Sequence, residues 1–233
     1  MTQPERKLIL ASSSPRRREI LLAAGIPFEV VTPSVPEVQQ DGESPEQFVC
    51  RMATEKAEAA LDQIAQIVQI AHSSDVPILA DAPILGADTA VVIDSHTLGK
   101  PASADEARAM LRLLSGKEHR VLTGLCLLAP PAVWPCPRSE LQMEIQLAST
   151  AVRFALLTEE EIEQYVSSGE PFDKAGGYGI QGLASKFIET IQGCYFNVVG
   201  LPVSLVYQML NRQMLNRFHS ANSNRPTEPA RKH

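Results

Sequence analysis

The sequence predicts an α/β protein with a mixed, twisted central sheet flanked by helices, built as two lobes with a cleft between them. Short apolar runs alternate with helical patterns along the chain, first at 8–11 and 15–24, then at 28–31 and from Pro45 onward. Gly86-Ala-Asp-Thr-Ala-Val-Val-Ile93 has the composition of a strand covered on both faces. Two strand patterns, 118–129 and 143–156, read as a long hairpin, so the sheet is not purely parallel. Candidate site residues come from both halves of the chain, which sets the cleft between two lobes.

The chain has 233 residues, 44% of them hydrophobic, enough for one large core. Its net charge of −6 argues against non-specific nucleic-acid binding but not against a local basic pocket. Cys50, Cys126, Cys136 and Cys194 form no CxxC pair and read as reduced thiols. With no signal-like or membrane-spanning apolar run, a soluble cytoplasmic chain is expected, with no nucleic-acid or membrane partner. The expected organisation is a single domain over 1–210 followed by a polar, disordered tail over 211–233.

Taken in order, 8–11 is a buried strand. Ser14 is a good helix cap and Pro15 fits the first helical position; Gly25 ends that helix. Residues 28–31 are a second strand, and 32–44 a loop carrying Glu37, Asp41 and Glu43. Ser44-Pro-Glu-Gln47 is a capping box that opens a helix to about residue 70. The stretch 76–85 is extended and apolar but interrupted by two prolines. After the strand 86–93, Asp94-Ser-His-Thr97 is a turn. Ser103-Ala-Asp-Glu106 is a second capping box, opening a helix ended by Ser115-Gly116. The hairpin strands follow, joined by an exposed proline-rich link at 130–139. Thr158-Glu-Glu-Glu161 caps another helix, reaching Gly169, and 171–182 is a glycine-dense loop. Phe187-Ile188 and 195–199 are predicted strands, and Leu201-Pro202 opens a last helix to about Leu210.

Asp88 stands out because a carboxylate inside a strand of small and β-branched residues is costly unless it faces a cleft, a cation or a metal. The plainer alternative is an aspartate capping a turn. Glu37 alone reads as a solvated loop acid, and Asp173 beside Lys174 equally as a structural ion pair. Arg16 and Arg17 lie at a helix start, where free N–H groups favour an anion. Lys56 sits in the long helix among alanines, and Lys100 on a turn between Gly99 and Pro101. Together these bases suggest a polyanion, with the acids holding a divalent cation between its phosphates. The histidines have no ligand-like spacing, and no P-loop, GxGxxG or Ser/His/Asp arrangement is present.

Six stretches in register give the chain a resemblance. They are Ser12-Ser-Ser-Pro-Arg-Arg17, Gly86-Ala-Asp-Thr89, Gly99-Lys-Pro101, Leu114-Ser-Gly116 with His119, Asp173-Lys-Ala-Gly-Gly-Tyr-Gly-Ile-Gln-Gly182 and Asn197-Val-Val-Gly-Leu-Pro202. They resemble the Maf family of nucleoside triphosphate pyrophosphatases, also described as septum-formation inhibitors, over about residues 8–210. The resemblance implies a Maf/inosine triphosphatase-like fold and metal-dependent cleavage between the α- and β-phosphates. It implies Asp88 as proton acceptor, Glu37 with Asp88 at a divalent cation (magnesium or manganese), and Ser12, Arg17, Lys56 and Lys100 around the phosphates.

Members acting on dTTP and UTP carry arginine after Ser-Pro, threonine after the catalytic aspartate and glutamine in Tyr-Gly-Ile-Gln; here these are Arg16, Thr89 and Gln181. An arginine donor and a glutamine amide suit the carbonyls and N–H of a pyrimidine edge. Modified pyrimidine nucleotides are further candidate substrates. The alternatives are a nucleotide-binding regulator of cell division with incidental catalysis, or the same chemistry on another nucleotide such as 7-methyl-GTP. Many family members are dimeric, which is the only ground for expecting a homodimer. The connection around 65–85, the 130–139 link and the tail depart from the family pattern, and Gly176-Gly177 stands where Gly-Ala is commoner.

Overall fold

The computed structural model describes residues 7–71, 82–129 and 141–223, without the side chains of 68–71 and 216–223. Its elements are β1 (Leu8–Ala11), α1 (Pro15–Ala23), β2 (Phe28–Val31), α2 (Pro45–Ala71), β3 (Ile84–Ile93), β4 (His96–Leu98), α3 (Ala104–Leu114) and β5 (Glu118–Ala129). Then come β6 (Gln142–Phe154), α4 (Glu159–Ser167), β7 (Ile188–Gln192), α5 (Tyr195–Val199) and α6 (Val203–Ser223). Short 3₁₀ turns fill the glycine-rich region between α4 and β7.

The described strands form one mixed sheet of seven in the order β2-β1-β3-β5-β6-β7, with β4 paired to β3 off that path. β2, β1 and β3 are parallel, and the rest are antiparallel. The two crossovers carry the chain from β1 outward to β2 and then back across to β3. Beside β1 and β3, the order reverses, and ligands of open α/β sheets bind at the carboxyl ends of strands flanking such a point. β1 is also short. Its pairing with β3 ends at Ala11 opposite Gly86, while β3 continues to Ile93. A notch is left where the sheet loses one strand.

Side-chain alternation along β1, β3 and β5 sorts the core into faces. Leu8, Leu10, Leu85, Ala87, Leu125 and Leu127 pack against α1 and α6. Ile9, Ala11, Ile84, Cys126 and Leu128 pack against Ala53, Ala57, Ala60, Leu61 and Ile64 of α2. Farther along the first face, Val91, Ile93, Val121, Val152 and Phe154 form a second core with α3 and α4. The cleft opens between these two cores, the two lobes of the molecule.

The local signals for α2 and α4 are realised as complete capping boxes. Ser44 and Gln47 bond each other's backbone N–H, and so do Thr158 and Glu161. Ser103 caps α3 by accepting from Glu106 N–H, but the Glu106 carboxylate reaches Ala102 N–H instead of closing the box. Ser14 occupies the cap position of α1 without a side-chain capping bond.

Three expectations need correction. Tyr195–Val199 is a helical turn, not a strand; the buried Asn197 amide ties it to Val121 O and Thr150 Oγ1, both at 2.9 Å, so tertiary anchoring overrides an aromatic and β-branched composition. The expected turn after Ile93 continues into β4, a three-residue strand reversed by Asp94 and Ser95 at positive φ. The last helix passes Leu210 and runs to Ser223, since neither glycine nor proline interrupts 211–223. The 130–139 link, most of 76–85 and residues 224–233 lie outside the described residues.

Helix α2 lies directly on the sheet at two glycines. A Cβ on Gly86 would run into the Ala53 carbonyl oxygen and come within 2.9 Å of Ala57 N. A Cβ on Gly124, the partner of Asp88 across the β3–β5 ladder, would run into Val49 O and come within 2.6 Å of Cys50 N. Both obstacles are backbone atoms, which no rotamer change can clear. Gly86→Ala is therefore expected to cost about 2–3 kcal/mol or more in urea unfolding, as overpacking does. Ala53→Gly added to it should restore nothing, and recovery would show that the contact is softer than this geometry requires.

Candidate active site

The notch beyond β1 opens into a cleft of about 310 Å³. Its lining includes Ser12 to Arg17, Glu37, Lys56, Asp88, Thr89, Lys100, Asp173, Tyr178, Gln181 and Gly200. All nine residues expected from the sequence to serve the site thus line one cavity, although they come from positions 12 to 181.

Asp88 lies on the α2 face of β3 and is 6% exposed. Its Oδ1 accepts from Lys56 Nζ at 2.6 Å, and the same ammonium donates to Glu37 Oε1 at 2.6 Å. Lys56 reaches Asp88 because the glycine contacts let α2 sit low on the sheet. Lys100, on the far rim and mostly exposed, holds its Nζ 3.8 Å from Glu37 Oε2. Burial pushes the Asp88 carboxyl above the usual aspartate range, against the pull of Lys56 and Arg17. Burial also acts upward on Glu37, but the bond and charge of Lys56, with Lys100 and Arg17, outweigh it and hold that carboxyl below its ordinary value.

Arg17 occupies the opposite face. Its Nε donates to Gly200 O at 2.9 Å, and Nη1 to Ala87 O at 2.8 Å and Ser12 Oγ at 3.0 Å. Nη2 donates to Thr89 Oγ1 at 3.1 Å. Of the five guanidinium N–H groups, the described residues leave one for any anion. Thr89 is equally engaged. Its hydroxyl meets Thr123 Oγ1 at 2.9 Å and donates to Gly200 O at 3.3 Å. The hydroxyl's one proton and two lone pairs are then all committed to protein partners. Gly200 O and Thr123, which hold these two side chains, carried no mark in the sequence beyond the position of Gly200 in the Asn197–Pro202 stretch.

Arg16 spans the mouth. Its Nη1 donates to Asp173 Oδ2 at 2.7 Å and its Nη2 to Asp173 O at 3.0 Å. Asp173 Oδ1 accepts from Lys174, whose ammonium also donates to Glu170 O at 2.7 Å. Glu170 in turn accepts from Tyr165 OH and from Leu183 N–H, and Tyr165 OH receives Gly179 N–H. Gly176 N–H bonds Gly99 O at 2.9 Å, so the glycine-rich loop is tied to the turn that carries Lys100. Gln181 is exposed on the rim, with its amide unengaged among the described residues.

Glu37 and Asp88 supply hard oxygen donors to a common point, which a cation, the Lys56 ammonium, already fills. Among the described residues, no group of three or more His, Cys, Asp or Glu side chains could hold a metal by itself. This donor set fits an ion that takes one or two carboxylates and completes its shell with phosphate oxygens and water. No described helix is long and apolar enough to cross a membrane.

The family model described as Maf-like protein matches residues 7–213. The dTTP/UTP pyrophosphatase of Koribacter versatilis is 44% identical over 206 residues, covering 88% of this chain and 93% of that protein. The dTTP/UTP pyrophosphatase of Bacillus cereus is 42% identical over 215 residues, covering 92% of this chain and 100% of that protein. That of Shigella dysenteriae is 43% identical over 204 residues, covering 88% and 91%. A solved structure of the Staphylococcus aureus Ham1 protein aligns at 12% identity and a TM-score of 0.36, covering 64% of this chain and 72% of that one.

Behind the cleft wall, His119 is 2% exposed and its Nε2 lies 2.7 Å from Tyr178 OH. Among the described residues its Nδ1 is buried without a partner, and burial pushes the ring down to about 4. The unfolded chain takes up this proton below the ordinary value near 6.5, and the folded chain does not until about 4. The resulting stability is intact above 6.5 and is lost as pH falls toward 4. Urea unfolding should show about 2 kcal/mol more loss between pH 7 and pH 5 in the wild type than in His119→Gln. Equal losses in the two proteins would mean that the ring is not held neutral.

Proposed function

This chain belongs to the Maf family, and on that premise we propose that it is a cytoplasmic nucleoside triphosphate pyrophosphatase acting on dTTP and UTP. The observation that carries the reading is the buried Asp88–Lys56 pair, with the half-exposed Glu37 on the same ammonium, beside the open start of α1, at the carboxyl end of β1. A base, a cation array and a helix N-terminus converge where a triphosphate would lie.

Asp88 Oδ1 is held by Lys56, which leaves Oδ2 to accept the proton of the attacking water. The water oxygen bonds to the α-phosphorus, the bridge to the β-phosphate breaks, and pyrophosphate leaves with the electron pair. Burial that raises the Asp88 carboxyl improves it as a base near neutral pH. Glu37 and Asp88 would hold a divalent cation, magnesium or manganese, whose chemistry is neutralisation of charge on the phosphate oxygens. Lys56 and Lys100 serve the same oxygens, with Ser12 and the uncapped N–H groups of α1 at the end of the chain of phosphates.

Arg16 and Gln181, at the mouth, read the pyrimidine edge. Thr89 acts on specificity through the Arg17–Gly200 contacts, having no hydrogen-bonding capacity left for the base. Modified pyrimidine triphosphates fit the same reading.

Purified protein should release pyrophosphate from dTTP and UTP with magnesium or manganese, and little from GTP or 7-methyl-GTP. Asp88→Asn should lower turnover by roughly 10²–10⁴-fold while keeping a cooperative melt. Wild-type rates in that variant would place the base elsewhere, and binding of dTTP without pyrophosphate release would remove the enzymatic reading.

A further inference from the structure

We infer that Arg17 is a positioning residue for Asp88 and not a phosphate ligand. This rests on the reading of Asp88 as the base. Two of the four acceptors of Arg17 belong to the residues immediately before and after Asp88, the Ala87 carbonyl and the Thr89 hydroxyl. A third, Gly200 O, fixes the α5–α6 corner against the same strand, and Thr89 donates to that oxygen as well. The fourth, Ser12 Oγ, also receives Ser14 N–H and so ties the loop after β1 to the same fork.

The need for this brace follows from the sheet. β1 stops opposite Gly86, so the next outward carbonyl of β3, that of Ala87, has no strand beside it. A buried carbonyl without a donor is costly, and the guanidinium takes the place of the missing strand. Because the fork grips both sides of Asp88, it sets the peptide planes from which that side chain projects toward Lys56 and the cleft. A planar fork can make these bonds at once. An ammonium, a point charge with three donors, keeps the charge but cannot span acceptors on three segments.

Arg17→Lys separates the two roles in the full chain. The quantities to measure are kcat for dTTP and the dissociation constant of α,β-imido-dTTP with magnesium by calorimetry. The brace predicts kcat lower by about 100-fold with the dissociation constant within about 3-fold of wild type. A phosphate ligand replaced by another cation would leave both nearly unchanged, or would weaken analogue binding about as much as it lowers kcat/KM; either outcome overturns the inference. If Arg17→Lys does not melt cooperatively, Thr89→Val removes one acceptor while leaving the guanidinium charge. Its kcat should fall by about 10-fold, and an unchanged kcat overturns the inference. Asp88→Asn, assayed alongside, tests the base separately: full activity there removes the reading of Asp88, whatever the Arg17 variants do.

Discussion

A carboxylate in the middle of a sheet is the constraint to which the rest of the molecule answers. Asp88 is buried opposite Gly124, and left alone it would be costly to ionise. Lys56 reaches it from the α2 face, and Arg17 braces its strand from the α1 face. Each cation imposes a condition on the backbone. Lys56 requires α2 to lie against bare main chain at Gly86 and Gly124. Arg17 requires β1 to end early, so that a guanidinium can stand beside β3. Removing one member of such a buried ion pair costs about 3–5 kcal/mol, most of it from the charge left behind. The groups that prepare this chemistry therefore also fasten α1 and α2 to the sheet.

What the sequence made legible was local. A capping box needs only four neighbouring residues, and the one at Ser44–Gln47 formed, whereas at Ser103–Glu106 only the serine half did because the glutamate reaches Ala102 N–H. Asp88 was visible because it violates the pattern of its own strand. Tyr195–Val199 was misread because its helical turn is set by Asn197 gripping two distant strands, which no window of five residues contains. Arg17 and Thr89 could be placed at the site from their motifs. How many of their bonds were already committed depends on where β1 ends relative to β3 and on where Gly200 returns, and that is tertiary information.

The mouth of the cleft is built separately from its floor. A run of polar contacts leads from Tyr165 on α4 through Glu170, Lys174 and Asp173 to Arg16. It shapes the glycine-rich loop that presents Gln181 without touching Asp88, Lys56 or Glu37. On the proposed function, base reading and phosphorus chemistry rest on different scaffolds. On that reading, changes in the first can redirect the substrate while the second stays in place.

The exposure of the Arg16–Asp173 pair gives that separation a further edge. Its aspartate side chain is 60% exposed and its arginine 26%, whereas the guanidinium of Arg17 is sealed among neutral oxygens. Dissolved ions shield charges in contact with water and scarcely reach those enclosed by protein. Rising ionic strength therefore loosens the mouth while leaving the floor rigid. With the proposed roles of these residues, fidelity toward the base and speed at phosphorus respond unequally to the ionic content of the surrounding solution.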